Sequence, residues 1–248
     1  TFHFQYEDGT PYFENGTTVY GWINQTTALQ DLTLQTLSQH RFNKLRLCVF
    51  PKSFYYGNDV EPEHYPVEGT LENWDFTRFV PAYWQNLETR VGQLRDLGIE
   101  ADIIIIHPYD SQGGLTFGFK NNQTQEEQER YWRYLIARLG AYRNVWWSMA
   151  NEYHLVGYED DFWNNMGIYF QNEDPYNHLR SIHNFPGNVF NQNSSWITHV
   201  SYQGNPYDPE KGGLQLRNWY QKPIVYDEAR YEGDVDRNWG QLSGEEMT

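Results

Sequence analysis

Cysteine, positive charge and long apolar runs are all scarce in this sequence. Its single cysteine, Cys48, cannot form an internal disulfide, so the redox compartment is not indicated. Eighteen basic residues stand against thirty-three acidic ones, and the net charge of −15 argues against a nucleic acid or an anionic membrane surface as partner. No apolar run approaches the roughly 18 residues of a membrane-spanning helix. Because no signal-peptide pattern follows Thr1, we expect any targeting peptide to be removed or never present, and localisation stays open.

Several chemical motifs are also missing. The eight histidines show no HExxH spacing and the chain has no CxxC pair, so the sequence predicts no metal site. No glycine-rich phosphate-binding fingerprint follows the first predicted strand, which weakens a dinucleotide-binding fold. No Gly-X-Ser-X-Gly elbow is present either, so an esterase ranks low. We therefore expect neither a metal nor a cofactor.

Aromatic residues, in contrast, are abundant. Ten Trp, twenty Tyr and fourteen Phe make up 18% of the chain, beside many amides and acids. Flat aromatic faces with polar neighbours suit a sugar, which has apolar ring faces and hydroxyl rims. A large barrel core filled with aromatic side chains would explain the same composition, and composition does not decide between the two.

Strand and helix patterns alternate along the chain. Buried-strand patterns occupy 17–22, 44–50, 100–107, 145–150, 179–184, 196–203 and 222–228. Helical patterns lie between them, at 27–40, 78–97, 124–142, 160–170 and 213–221. Strict alternation implies a parallel sheet, as a barrel or an open sheet. The alternating segment around Asp8 and Gly9 predicts a hairpin outside this sheet, covering its bottom.

Polar residues recur where these strands end, and this favours the barrel. They are Arg46, His107, Asn151, Glu152, His183, Gln203, Asp227 and Glu228. In a barrel the carboxyl ends of the strands converge on one mouth, whereas in an open sheet they lie along an edge. We therefore predict an α/β fold, a TIM-type (β/α) barrel in which residues 1–248 form a single catalytic domain. Strict alternation along the last strand predicts that Asp227 points away from the barrel axis.

Two carboxylic acids at strand ends suggest a reaction. Hydrolysis of a glycosidic bond needs one acid to protonate the leaving oxygen and a second carboxylate to attack the anomeric carbon or activate water. Glu152 and Glu228 supply such a pair. Either residue by itself is more often a charge at a helix N-terminus or a surface group. Their occurrence after two apolar, aromatic strands favours the catalytic interpretation.

The motifs "SMANE" and "KPIVYDE" resemble the clan of retaining glycoside hydrolases built on the eight-fold β/α barrel. In that clan the acid/base Glu follows an Asn after strand four, and the nucleophile Glu ends strand seven. The stretches "NKLRLCVFPK", "LRDLGIEADIIIIHPYD", "RLGAYRNVWWSMANEY", "SIHN" and "PIVYDEARYEG" resemble more closely a bacterial family related to the apiosidase-like hydrolases. The resemblance covers nearly the whole chain.

The resemblance implies a role for each matching residue. Glu152 would be the general acid/base, Glu228 the nucleophile, and Asn151 a hydrogen-bond donor to the sugar hydroxyl beside the anomeric carbon. Arg46 would keep Glu228 ionised, because a nearby cation favours a carboxylate. The remaining residues would line the subsite around the scissile bond, and they are His107, His183, Tyr202 and Gln203. The implied partner is a carbohydrate of plant type, cleaved with retention of configuration.

Two departures from the family pattern affect these expectations. His154 stands where relatives carry an acidic residue after the acid/base. The chain also ends at "WGQLSGEEMT" (239–248), which reads as the start of the helix after strand seven, so an eighth strand is not evident. An open gap between strands one and seven would expose unpaired backbone, and such edges associate. We therefore expect either a homo-oligomer that closes the gap or a truncated domain with impaired activity.

Two further questions stay open at this stage. A carbohydrate-binding pseudo-enzyme or inactive barrel fragment is the alternative to a glycosidase. The identity of the sugar, the linkage and endo or exo action depend on the loops at 51–73 and 110–122, whose sequences carry no decisive signature. Tyr55, Tyr56 and Tyr109 in or beside these loops are candidates for stacking on a sugar ring.

Overall fold

The computed structural model describes residues 2–52, 62–71, 73–109, 123–204, 209–228 and 243. The described residues form eleven strands: β1 (Phe4–Gln5), β2 (Pro11–Tyr12), β3 (Gly16–Thr18), β4 (Lys44–Cys48), β5 (Val67–Thr70), β6 (Asn73–Phe79), β7 (Glu100–Ile106), β8 (Val145–Ala150), β9 (Arg180–Ser181), β10 (Val200–Gln203) and β11 (Ile224–Glu228). They also form six α-helices: α1 (Thr27–Gln39), α2 (Pro81–Asp96), α3 (Gln125–Leu139), α4 (Tyr153–Val156), α5 (Asp160–Glu173) and α6 (Pro209–Tyr220). Within these ranges, no helix combines the length and apolar character that crossing a bilayer requires.

Seven of the strands are parallel and follow one another in space in their sequence order. β3, β4, β7, β8 and β9 form one sheet, and β10 pairs with β11. An isolated parallel bridge between His183 and Ser201 continues the order from one sheet to the next. The predicted α/β fold with a central parallel sheet is therefore confirmed, and its strand order is that of a TIM-type barrel.

The two faces of the strands differ in polarity. Leu45, Leu47 and Ile103 belong to the apolar cluster that also contains the buried side chains of the surrounding helices. Lys44 and Asp102, which alternate with them along β4 and β7, form an ion pair on the opposite face. The apolar layer thus lies between strands and helices, while charged side chains occupy the inner face. Cys48 is buried.

Local sequence signals explain where the helices begin. The Thr124 side chain accepts a hydrogen bond from Glu127 N–H, and the Glu127 side chain accepts one from Thr124 N–H, a capping box that starts α3. α2 starts with Pro81 in its first turn, where the missing N–H costs nothing. The prediction that this helix starts at residue 78 was wrong. Residues 73–79 instead form β6, an antiparallel partner of β5.

The predicted N-terminal hairpin is confirmed. β1 and β2 are antiparallel, and Gly9 has a φ of +86° in the turn between them. The rings of Phe4 and Tyr12 pack 5.0 and 5.8 Å from the ring of Trp146, near the amino end of β8. The hairpin therefore lies against the bottom of the sheet, opposite the carboxyl ends of the strands.

The first and last parallel strands, β3 and β11, do not pair with each other within the described residues. A cavity of 440 Å³ lies between their facing edges, and the N-terminal hairpin lines its lower part. The helix start expected at 239–248 lies outside the described residues, except for Ser243. The expected lack of an eighth strand therefore stays a prediction.

Candidate active site

Glu152 and Glu228 end parallel strands at the same edge of the sheet. Glu152 follows β8 and has a φ of +44°, in the left-handed region that costs a non-glycine residue about 1–2 kcal/mol. Its N–H donates to His183 Nδ1 at 3.3 Å, and the next N–H, of Tyr153, donates to the His183 carbonyl at 3.0 Å. These bonds hold the strained turn, and such strain clusters at functional sites.

The Glu152 carboxyl lies in an environment that favours its neutral form. The residue is only 4% exposed, and its Oε2 atom has no hydrogen-bond partner among the described residues. Burial raises the pKa of Glu152 to about 7, against the opposing effects of Lys52, a hydrogen bond with Gln203, and Arg46. A carboxyl group with this pKa can both give and take a proton near neutral pH.

The Glu228 carboxylate, in contrast, is surrounded by donors. The Tyr20 hydroxyl donates a hydrogen bond to Oε1, and Gln203 Nε2 donates one to Oε2 at 3.2 Å. Arg46 Nη1 lies 3.7 Å from Oε1. Hydrogen bonds and a nearby cation both stabilise a carboxylate in its ionised form. These contacts favour the ionised form of Glu228, whereas burial favours the neutral form of Glu152.

Asn151 is held in one orientation by the same residues. Arg46 Nη1 donates to Asn151 Oδ1 at 3.2 Å, and the Tyr20 hydroxyl oxygen lies 3.4 Å from that atom. Because both contacts involve Oδ1, the Nδ2 group is left to donate elsewhere. This orientation fits the predicted role of Asn151 as a donor to a sugar hydroxyl.

Gln203 connects the two carboxyl groups. Its amide donates to Glu228 and also forms the hydrogen bond that lowers the pKa of Glu152. The Gln203 backbone is held on both sides by Asn184, which accepts from its N–H at 3.0 Å and donates to its carbonyl at 3.1 Å. Gln203 therefore lies near both acids, and this brings the predicted pair into one site.

The two predicted histidines are both buried but contact different parts of the site. His183 is completely buried, and burial together with Arg46 holds its pKa well below the usual range, so the ring is neutral. His107 contacts Phe50 O through Nε2 at 3.1 Å and accepts from Tyr109 N–H at Nδ1, also at 3.1 Å. With Nδ1 as acceptor, the proton lies on Nε2. His183 thus borders Glu152, while His107 holds the backbone of Tyr109.

Asp227 faces the inside of the sheet, and the prediction that it points outward was wrong. Tyr226 pairs with Tyr202 and Glu228 pairs with Gln203, so Asp227 is an extra residue in a β-bulge. A bulge interrupts the alternation on which that prediction rested. The Asp227 side chain accepts hydrogen bonds from Lys44 and Ser201.

An ion network continues from Asp227 to the mouth of the site. Lys44 Nζ also lies 2.9 Å from Glu14 and 3.0 Å from Asp102, and Arg46 Nε lies 3.4 Å from Asp102. Although burial opposes ionisation, Lys44 and Arg46 hold the pKa of Asp227 well below its usual range. Charged groups thus extend from the bottom hairpin to the guanidinium group beside Glu228.

Tyr202 is a predicted site residue that the structure places outside this cluster. It precedes Gln203 on β10, so its side chain lies on the other face of the strand. Its ring packs 5.3 Å from that of Tyr226 and lies close to Gly212 of α6. It therefore packs between strand and helix. Tyr55, Tyr56 and the loop at 110–122 lie outside the described residues.

Two residues of the site, Tyr20 and Lys52, were missed in the sequence. Tyr20 contacts Glu228 and Asn151, and Lys52 lowers the pKa of Glu152. Both follow the ends of parallel strands, β3 and β4, which is the signal that identified the other site residues. An aromatic ring or a lysine at such a position has ordinary structural explanations, and the signal was therefore overlooked. No group of three or more potential metal ligands occurs among the described residues.

Comparisons with known proteins identify relatives of this chain. The family described as "Apiosidase-like, catalytic domain" matches residues 1–247. A protein from Bacteroides vulgatus ATCC 8482, provisionally assigned as a glycoside hydrolase, is 42% identical, with a TM-score of 0.90. The match covers 99% of this chain and 49% of that protein, so the chain spans about half the length of this relative. No curated protein sequence matches the chain.

More distant solved structures share the fold. A glycoside hydrolase family 5 protein from Bacteroides vulgatus ATCC 8482 is 15% identical, with a TM-score of 0.67 over 92% of this chain and 51% of its own. The endo-1,4-β-D-mannanase from Thermotoga petrophila RKU-1 is 14% identical, with a TM-score of 0.60 over 92% of this chain and 82% of its own. At these identities the likeness concerns the fold alone.

Proposed function

Because this chain belongs to the apiosidase-like catalytic domain family, we propose that it hydrolyses glycosidic bonds, with Glu152 as general acid/base and Glu228 as nucleophile. The observation that carries the proposal is the contrast between the two acids around Gln203. Glu152 is buried with a pKa of about 7, whereas Glu228 is held by Tyr20, Gln203 and Arg46. Two carboxyl groups whose environments differ in this way are the usual acid and nucleophile of a glycosidase.

We propose a retaining double displacement. In the first step Glu152 donates its proton to the glycosidic oxygen, while the Glu228 carboxylate attacks the anomeric carbon and the alcohol leaves. Asn151 Nδ2 donates to the adjacent sugar hydroxyl. Arg46 keeps Glu228 anionic until it attacks, because the guanidinium cannot lose its proton.

The second step reverses the role of Glu152. Once the proton has gone, Glu152 is a carboxylate and accepts a proton from the water that attacks the anomeric carbon. The ester bond to Glu228 breaks, and the sugar is released with its original configuration. A pKa near 7 serves both steps, because the group must be an acid first and a base second.

The proposed substrate is a plant-type oligosaccharide or polysaccharide. The family is described as apiosidase-like, which supports a glycoside as substrate. The many aromatic residues supply ring faces on which sugars stack. Sugar identity and endo or exo action depend on loops around the mouth, and 53–61 and 110–122 lie outside the described residues.

The proposal is tested by assaying the protein against a panel of plant oligosaccharides and aryl glycosides. We expect Glu152→Gln to lower kcat/KM on unactivated glycosides by about 10²–10⁴-fold. Glu228→Gln should abolish turnover, and a 2-deoxy-2-fluoro glycoside with a good leaving group should label Glu228. Exposed Glu126→Gln serves as the matched control and should retain full activity. Labelling of another residue would exclude Glu228 as the nucleophile, and inversion of the product anomer would exclude the retaining mechanism.

A carbohydrate-binding protein without turnover is the second candidate. Within the described residues, β3 and β11 do not pair with each other and a cavity lies between them, and this favours the second candidate, because an open barrel would hold its site less rigidly. Calorimetry with the same oligosaccharides separates the two candidates. The binding protein is selected by two results together. The wild type hydrolyses none of the panel, and Glu228→Gln still binds the oligosaccharides.

A further inference from the structure

Lys52 is a cation of the site to which the reaction above assigns no role. Its ammonium nitrogen lies 4.0 Å from the ring centroid of Tyr20 and 4.4 Å from that of Tyr109. No carboxylate oxygen of a described residue lies within ion-pair distance of this nitrogen. Two aromatic faces therefore provide its close partners, an arrangement that attracts cations strongly when water is excluded.

Tyr20, on one side of the ammonium group, contacts the proposed nucleophile. Its hydroxyl donates to Glu228 and lies 3.4 Å from Asn151 Oδ1. Its backbone carbonyl accepts from Cys48 N–H at 2.9 Å, which fixes the main chain to β4. The main chain is thus anchored, while the ring needs a separate contact to keep its hydroxyl on Glu228.

Tyr109, on the other side, is anchored independently. Its N–H donates to His107 Nδ1, and its ring lies nearly parallel to the His107 ring, at 6.5 Å and 19°. Tyr20 follows the end of β3, Lys52 follows β4 and Tyr109 follows β7. The ammonium group therefore joins the segments after three neighbouring strands directly above the site.

We propose that Lys52 is a positioning residue that acts on the nucleophile through Tyr20. Held between the rings of Tyr20 and Tyr109, its ammonium group fixes the Tyr20 ring so that the phenol hydroxyl stays on Glu228. A cation on the face of a phenol also draws electron density from the ring and makes the hydroxyl a stronger donor. This inference rests on the function proposed above.

A kinetic double-mutant cycle tests the route through Tyr20. Lys52→Met, Tyr20→Phe and the double variant are compared with wild type on a glycoside that wild type cleaves. We expect Lys52→Met to lower kcat about tenfold with little change in KM, and Lys52→Arg to restore most of it. In the Tyr20→Phe background the loss caused by Lys52→Met should largely disappear.

Two kinetic outcomes would overturn the proposal. Losses that multiply in the double variant would mean that Lys52 acts independently of Tyr20, for instance on the substrate. A rise in KM with unchanged kcat in Lys52→Met would also mean that Lys52 acts independently of Tyr20. Lys222→Met is the matched control, because Lys222 donates to the carbonyls of Gln192, Ser194 and Ile197. It should lower the Tm and show no coupling to Tyr20→Phe.

A second measurement needs no substrate, so it separates failure of this inference from failure of the proposed function. We expect Lys52→Met to lower the Tm by about 2–4 °C, and by clearly less in a Tyr109→Leu background. Equal losses in both backgrounds would show that the ammonium group is not held by Tyr109, and they would overturn the proposal. A wild type without glycosidase activity but with coupled Tm losses would reject the function alone.

Discussion

At the level of single residues, the protonation of Glu152 sets the pH range in which the site is expected to be active. The first step needs the neutral acid, and burial raises the pKa of this group to about 7. We therefore expect kcat/KM to fall as the pH rises through about 7. For an aryl glycoside whose leaving group needs no proton, the pH profile of kcat/KM should lack this alkaline limb. The prediction fails if Glu152→Gln leaves the alkaline limb unchanged on a natural glycoside.

The same pKa shift makes stability depend on pH. A group whose pKa is higher in the folded than in the unfolded state stabilises the fold below its unfolded pKa, and that contribution is lost as the pH rises through the folded pKa. For Glu152 the loss lies between about 4.5 and about 7. Glu152→Gln should thus be more stable than wild type at pH 8, by on the order of 2 kcal/mol, and differ much less at pH 4. Urea unfolding at both pH values measures the difference.

Lys44 carries a separate prediction about the buried ion network. Its ammonium group is paired with Asp102 and Asp227, whose side chains are almost fully buried. Lys44→Met leaves these carboxylates without their cation and should destabilise the protein by about 3–5 kcal/mol. Glu14→Gln removes a more exposed partner of the same lysine and should cost much less. Equal effects of the two changes in urea unfolding would contradict this assignment.

At the level of elements, replacing two helical glycines with alanine should have opposite effects on stability. A Cβ atom added to Gly167 in α5 would overlap the Trp196 ring, whereas one added to Gly92 in α2 would lie 3.5 Å from Tyr142, an ordinary contact. Gly167→Ala should therefore destabilise by about 1–3 kcal/mol. Gly92→Ala should stabilise by about 0.5–1 kcal/mol, because alanine favours the helix. Thermal unfolding measures both, and a gain at Gly167 would show that this packing is looser than described.

The strands show which elements can be predicted from the pattern of apolar residues and which cannot. Buried apolar runs identified β4, β7 and β8 within a few residues, because strands covered on both faces leave a continuous signal. The β5–β6 hairpin was missed, since the residues around it were assigned to a long loop and an early helix start. The bulge at Asp227 was also missed, because a bulge is defined by the pairing of β11 with β10.

At the level of the whole molecule, the edges of β3 and β11, which do not pair with each other within the described residues, predict self-association. Phe13 is 78% exposed and borders the cavity between these edges, so a second copy could cover both. We propose a homo-oligomer that closes the gap and expect sedimentation to show it. Phe13→Glu should shift the protein towards monomer, while Leu32→Glu on α1, also exposed, should not. A stable wild-type monomer would contradict the oligomer.

The sequence by itself determined the alternating α/β fold, the N-terminal hairpin and the placement of both acids at strand ends. These features depend on short-range patterns, and parallel strands bring their carboxyl ends to one edge whatever the loops do. Tertiary structure decided which neighbours each acid has. Tyr20 lies 131 residues from Asn151 and 208 from Glu228, and Lys52 meets two rings that follow different strands. Such contacts exist only once the strands are paired, because no local pattern encodes which side chains then face one another.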